Sequence, residues 1–207
     1  MTRPVLWSFR RCPYAMRARL ALDVAQIRLE HREILLRDKP DAFLQASTKG
    51  TVPVLQIGER AIDESLDVMR WALAQNDPEG WLQMPDDGWD LIARTDGPFK
   101  TALDRYKYAN RFEGANSTEE RDKAALFLHE LDERLTTTPW LFGQTPRIAD
   151  MAILPFIRQY ANTDRPWFDA QDWPALICWL DRFLTSPRFI RIMEKHPLWA
   201  PAPAKPV

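Results

Sequence analysis

The sequence predicts an α+β domain of order βαβ-ββα followed by an all-helical domain, and three observations carry that expectation. Apolar runs of strand length alternate with helical periodicity over the first third of the chain. The stretch Asn76 to Gly88 then gathers Asp77-Pro78, Gly80, Pro85 and Asp86-Asp87-Gly88, a dense group of turn formers. Beyond it the strand patterns disappear. At 207 residues and 45% apolar composition the chain is long enough to bury two small cores. The expected division is 1–76 for the first domain, 77–88 for a linker, 89–199 for the helical domain and 200–207 for a loose tail.

In chain order, Pro4 to Phe9 reads as a strand. Pro13 to about Gln26 reads as a helix with Ala15, Ala18, Leu22 and Ala25 on one face, and Glu30 to Leu36 as a second strand. Strand, helix, strand implies a parallel crossover. After a polar segment, Val52 to Ile57 and Arg60 to Ile62 flank Gly58-Glu59, a short turn suited to an antiparallel hairpin. A helix follows over about Glu64 to Ala74. In the second domain Trp89 to about Phe112 is expected to be one long helix, broken at Glu113-Gly114-Ala115-Asn116. Ser117 with Glu120 makes a capping-box pattern ahead of Ala124, Leu128, Leu131 and Leu135. Further helices are expected over Ile148 to Tyr160, Pro174 to Leu184 and Pro187 to Lys195. The Ala-Pro run from Ala200 is too proline-rich to fold.

A net charge of −1, with acids and bases interspersed, argues against a nucleic-acid surface. The apolar stretches are interrupted before membrane-spanning length, and the N-terminus enters a strand-like run instead of signal regions, so no membrane association and a cytoplasmic location are expected. Cys12 and Cys178 do not resemble a secreted disulfide framework, which fits a reducing compartment. His31, His129 and His196 form no metal spacing with them, so no metal is expected. Cys178, among Leu176, Ile177, Trp179 and Leu180, is expected in the core.

Cys12 is the chemically informative residue. It stands in Arg10-Arg11-Cys12-Pro13-Tyr14-Ala15, where the first strand gives way to the first helix. First-turn N–H groups lack intrahelical partners and, with the helix dipole and Arg10, Arg11 and Arg17, favour an anion there. Such surroundings lower a cysteine pKa from roughly 8.5 into the range of about 3.5–7.5. Pro13 suits the first helical position. Position 15 is Ala, so no second thiol closes a Cys-x-x-Cys disulfide, and a single-thiol site needs an outside resolving partner. The competing reading is a small buried side chain, which is common for free cysteine.

Three separated elements in order, Cys12-Pro13-Tyr14-Ala15, Gly50-Thr51-Val52-Pro53-Val54-Leu55 and Asp63-Glu64-Ser65, resemble the cytosolic glutathione transferases, and in particular their omega-like, cysteine-bearing branch. The resemblance covers nearly the full length and implies a thioredoxin-like first domain before the helical one. On residues alone, Pro53 would be an ordinary trans proline beside an edge strand, and Asp63, Glu64 and Ser65 simple N-capping types. The resemblance implies instead a cis Val52–Pro53 bond, with the Val52 backbone pairing the cysteinyl part of glutathione. It further implies Glu64 and Ser65 receiving the γ-glutamyl ammonium and carboxylate, Lys39 near the glycine end, and Tyr14 beside the sulfur. One departure is Arg147-Ile148-Ala149-Asp150, where the family often has Ser or Thr at the first position. Thr145-Pro146 could cap that helix instead.

The activity so implied is a glutathione-dependent thiol transfer through a Cys12-glutathione mixed disulfide, with glutathione as co-substrate, a small electrophilic or disulfide substrate, and a homodimeric assembly. Phe9, Arg10, Phe99 and Tyr106 are candidates for contact with the second substrate, against the competing reading that aromatics at helical spacing belong to a core. Other functions compatible with the sequence are a non-catalytic interaction protein on the same fold and a glutathione-dependent isomerase or dehalogenase.

Overall fold

The computed structural model describes residues 3–201, and the expected tail from 202 onward lies outside them. The chain forms two compact units. One runs to Asn76 and is completed by the segment beginning at Arg191; the other spans Asp77–Ile190. The division thus departs from a helical domain ending at 199.

In the first unit, β1 (Val5–Ser8) leads through α1 (Pro13–Val24) to β2 (Glu30–Glu33), parallel to β1, as the crossover rule requires. A short helix not foreseen in the polar segment, α2 (Asp41–Ala46), precedes β3 (Val54–Ile57), β4 (Arg60–Ile62) and α3 (Ser65–Gln75). Strand order is β2-β1-β3-β4, with β3 antiparallel to both neighbours. Gly58, at φ +62°, makes the turn of the β3–β4 hairpin. α1 ends earlier than expected because Gln26 enters the left-handed region at φ +57°. Ala15, Ala18, Leu22 and Ala25 are all buried, as the periodicity predicts, but so are Arg17 and Arg19. Trp7, Ala15, Ile34, Phe43, Val52 and Val54 form a core cluster against which Cys12 and Trp199 pack. Phe43 docks α2 on this core. Burying its ring contributes roughly 1.5–3 kcal/mol, which a six-residue helix needs because isolated helices of that length do not persist.

The segment after α10 (Pro187–Ile192) returns to this sheet instead of continuing as helix to Lys195. Leu198 bridges Glu33 at the open edge of β2, and the Trp199 N–H donates to the Glu33 carbonyl at 2.8 Å. The Trp199 ring meets Trp7 edge-on at 4.9 Å, and the Arg32 guanidinium lies within 5.1 Å of both indoles. An edge that would otherwise present unpaired backbone is thereby covered.

The regular elements of the second unit are all helical, joined by turns and loops, apart from an isolated bridge between Trp140 and Gly143. Its opening segment, expected as a linker, is packed: the Asp77 carboxylate accepts from the Trp81 and Leu82 N–H groups at 2.8 and 2.9 Å, and Trp81 is fully buried. The long helix expected over Trp89 to Phe112 is divided into α4 (Asp87–Arg94), a π turn over Thr95–Phe99, and α5 (Lys100–Lys107). Pro98 has no N–H to donate and its ring crowds the preceding turn, which accounts for the widened turn at Gly97-Pro98. α6 (Ser117–Leu135) buries Ala124, Leu128, Leu131 and Leu135 as expected. Its cap is Asn116 rather than Ser117: the Asn116 side chain accepts from the Thr118 N–H at 3.0 Å, while the Ser117 hydroxyl turns to the Tyr106 carbonyl.

α7 (Ile148–Ala161), α8 (Arg165–Asp169) and α9 (Pro174–Leu184) complete the unit. Neither Thr145 nor Pro146 starts α7. Asp150 reaches back to the Arg147 N–H at 2.8 Å and so caps the helix from its own first turn. Cys178 is exposed, contrary to expectation, because the buried stripe of α9 is Leu176, Trp179, Leu180 and Phe183 and position 178 falls outside it. Among the described residues no helix is long and apolar enough to cross a membrane, and no group of three His, Cys, Asp or Glu side chains could hold a metal ion.

Candidate functional site

Cys12 is the N-cap of α1, in extended conformation at φ −71° and ψ 123°, with Pro13 at the first helical position. Its N–H closes a turn on the Phe9 carbonyl at 3.0 Å, and its own carbonyl accepts from Met16. The half-buried sulfur lies 3.8 Å from the Val52 carbonyl oxygen, across from the start of the hairpin. The thiol therefore sits over the partial positive charge of a helix N-terminus. Of the flanking cations, Arg11 places its guanidinium 5.5 Å from the Phe9 ring and the buried Arg17 places its own 5.7 Å from the Tyr14 ring.

The turn holding Cys12 is gripped from behind. The Glu33 carboxylate accepts the Arg10 N–H at 2.6 Å, and Arg19 donates to the Arg10 carbonyl at 2.6 Å and to the buried Ser8 hydroxyl at 3.0 Å. Neither Glu33 nor Arg19 was legible as a site residue. They come from a strand end and a helix interior, and only the fold brings them to Arg10.

The loop 47–53 joins the remaining candidates. The Val52–Pro53 bond is cis, and Val52 contacts Cys12. Gly50 has φ +62°, and a side chain there would come within 3.9 Å of Lys39 Nζ, so Lys39 lies beside this loop. The Ser47 hydroxyl accepts from the Thr51 N–H at 3.2 Å. Thr48 donates to Asp63 at 2.8 Å, and Lys49 pairs with Glu64. Glu64 is the N-cap of α3 and Ser65 its first residue, 4% exposed. The hydrogen bond from Lys49 to Glu64, and then the charge of Glu64, hold the Lys49 ammonium above its ordinary value. Lys49 was missed in the sequence although it stands immediately before the Gly50–Leu55 element.

Cys12, Tyr14, Lys39, Val52, Pro53, Glu64 and Ser65 all belong to the first unit, as do Phe9 and Arg10. A thiol at a helix start, an adjoining stretch of extended backbone and a charged helix start at α3 suit a small thiol peptide with ionised ends. Phe99 and Tyr106 lie in the helical unit. They are 3% and 9% exposed, with ring centroids 5.9 and 5.3 Å from Tyr160, so most of each ring is core, as the competing reading had it. Phe99 also borders a cavity of about 570 Å³ lined by Arg94, Ala102, Lys123, Phe127 and Glu130.

Known proteins resemble this chain in both of its units. Residues 6–80 match the family model described as glutathione S-transferase, N-terminal domain, and residues 114–182 match glutathione S-transferase, C-terminal domain. The chain is 28% identical over 145 residues to the probable glutathione S-transferase DHAR1, cytosolic, of Oryza sativa subsp. japonica, across 70% of this chain and 64% of that protein. It is also 28% identical over 161 residues to the probable glutathione transferase omega-2 of Caenorhabditis briggsae, across 72% of this chain and 61% of that one. The chain thus spans less than two thirds of either relative. The crystal structure of a glutathione transferase family member from Pseudomonas fluorescens, with two glutathione bound, superposes with a TM-score of 0.78 at 18% identity, covering 93% of this chain and 92% of that one.

Proposed function

Because the chain belongs to the glutathione S-transferase superfamily, we propose that it is an omega-like member that transfers thiols through Cys12, with glutathione as co-substrate. The observation that carries this reading is the Cys12 sulfur at the N-cap of α1, facing the Val52 carbonyl, with Ala rather than a second thiol at position 15. The Cys12 thiolate attacks a glutathionyl mixed disulfide at the glutathione sulfur. The old S–S bond breaks, the substrate leaves as its thiolate and takes up a proton, and Cys12 is left disulfide-bonded to glutathione. A second glutathione thiolate then attacks that bond, releasing glutathione disulfide and restoring the Cys12 thiolate. In balance, one glutathione thiol is oxidised and the substrate sulfur is reduced to a thiol, while the glutathione sulfur of the mixed disulfide stays at the disulfide level throughout.

In this reading the Val52 backbone pairs with the cysteinyl unit, Glu64 and Ser65 receive the γ-glutamyl end, Lys39 approaches the glycine carboxylate and Tyr14 flanks the sulfur. Phe9 and Arg10 are the second-substrate contacts that share a unit with Cys12. A cytoplasmic homodimer is part of the same proposal, supported by the family resemblance. Treatment with glutathione disulfide followed by peptide mass spectrometry should find glutathione on Cys12 and reduced glutathione should remove it. Modification confined to the exposed Cys178 overturns the reading. Glu64→Gln, which removes a charge-assisted bond to the ammonium, is expected to raise the KM for glutathione about tenfold with little change in kcat. An unchanged KM excludes Glu64 from the glutathione contacts.

A further inference from the structure

The two buried charges that grip the Cys12 turn also touch the returning C-terminal segment. Glu33, 7% exposed at the end of β2, holds the Arg10 N–H on one carboxylate oxygen and His31 Nε2, at 3.1 Å, on the other. Its carbonyl takes the Trp199 N–H. The His196 ring stacks on His31 with centroids 4.0 Å apart and planes 19° from parallel. Arg19, which holds the Arg10 carbonyl, lies 3.9 Å through Nη2 from the Met193 sulfur. The segment from Met193 to Trp199 is therefore a strap seated on the same side chains that fix the peptide groups on either side of Arg10.

We propose that Glu33 is a positioning residue for Cys12, and that the strap docked over it through the His31–His196 stack makes this positioning pH-dependent. The inference rests on the reading of Cys12 as the transferring thiol. Hydrogen bonds from buried ionised groups are stronger than neutral ones, so the Glu33 and Arg19 contacts fix the turn from which α1 presents the sulfur. The His196 ring faces His31 and Glu33 from β2, Arg19 from α1 and Glu194 from its own segment, with Asp23 and Arg191 lining the same cavity of about 350 Å³. Burial, then His31, hold the His196 ring below the ordinary imidazole value, against the pull of Glu194 and Glu33. An undocked His196 takes a proton more readily than a docked one. Docking is therefore complete above about pH 6.5 and weakens as pH falls below it. Loosening the strap removes the Trp199 bond to Glu33 and with it part of what holds the clamp.

The test uses the full chain carrying Cys178→Ser, so that alkylation by iodoacetamide reads Cys12 alone, together with amide hydrogen exchange resolved at Arg10 and Trp199. Near neutral pH, Glu33→Ala is expected to slow Cys12 alkylation about tenfold and to lower Arg10 protection. Glu33→Gln, whose amide oxygen still accepts the Arg10 N–H, should stay within about threefold of the parent. Loss of a negative charge acting only through space would instead accelerate both variants. In the parent, protection at Arg10 and Trp199 should fall together as pH falls below about 6.5, and His196→Gln should remove that loss. Two Glu33 variants that react like the parent, while Cys12 still outpaces a free cysteine, overturn the positioning role and leave the thiol reading intact. A parent Cys12 no faster than free cysteine sinks the thiol reading, and the clamp then stands or falls on Arg10 exchange. Protection that ignores pH in the parent overturns the pH dependence.

Discussion

Cys12→Ser is expected to lower glutathione-dependent disulfide reduction on the order of 10³-fold or more while leaving retention on immobilised glutathione nearly unchanged, because a covalent nucleophile is lost and a binding surface is not. A serine hydroxyl fits the N-cap position and accepts hydrogen bonds there, so α1 keeps its start. It is not appreciably ionised at neutral pH, however, and cannot form the mixed disulfide. The exposed Cys178 lies in the other unit and offers no substitute, so Cys178→Ser should leave turnover untouched. The paired measurement separates the competing functions. Binding without turnover in the parent as well as in the variant would mark a scaffold. Turnover that survives Cys12→Ser would mean that the glutathione sulfur itself is the nucleophile and that the protein only orients it, as in conjugation.

The parts of the fold and site legible in the sequence are those written in local patterns. The apolar run of β1, the Gly58 turn, the apolar face of α1 and the helix start at Pro13 behind Cys12 each need only neighbouring residues, and each is found in the structure. What escaped was short or long-range. α2 has six residues, too few to show a period, and owes its place to the buried ring of Phe43 with Ala42 and Ala46 packed beside it. Glu33 and Arg19 look like ordinary solvated residues of a polar strand and a helix until the fold sets both against Arg10. The strap from Met193 to Trp199 has no strand pattern because only Leu198 bridges the edge of β2 and the Trp199 N–H continues the pairing. Lys49 was invisible for the same reason: its partner Glu64 lies across the hairpin. The π turn at Gly97-Pro98 is a different case, since a proline inside a helical period is a local signal that periodicity alone overrides.

Asp150→Ala should be the most destabilising single change in the helical unit, by about 3–5 kcal/mol in urea unfolding followed by tryptophan fluorescence. The side chain is fully buried and serves three donors: the Leu141 N–H at 2.9 Å, the Arg147 N–H at 2.8 Å and the Trp179 indole N–H at 3.0 Å. Alanine leaves all three unpaired in the interior, and each buried donor so orphaned costs about 1–3 kcal/mol. Asp150→Asn should cost less, since its one oxygen can keep Leu141 and Trp179 and only the Arg147 N–H meets an amide donor instead of an acceptor. The two forms of the acid also predict a pH signature. Burial pushes the Asp150 carboxyl up to about 6, with the three N–H donors opposing the rise. Between the ordinary aspartate value of about 3.9 and that point, the folded chain retains a proton that the unfolded chain has released, so this group's contribution to stability falls as pH rises. Asparagine does not titrate. The deficit of Asp150→Asn relative to the parent should therefore narrow across that window and stay constant above it. A deficit that widens with rising pH would mean that the three donors outweigh burial and that the carboxylate is the preferred buried form.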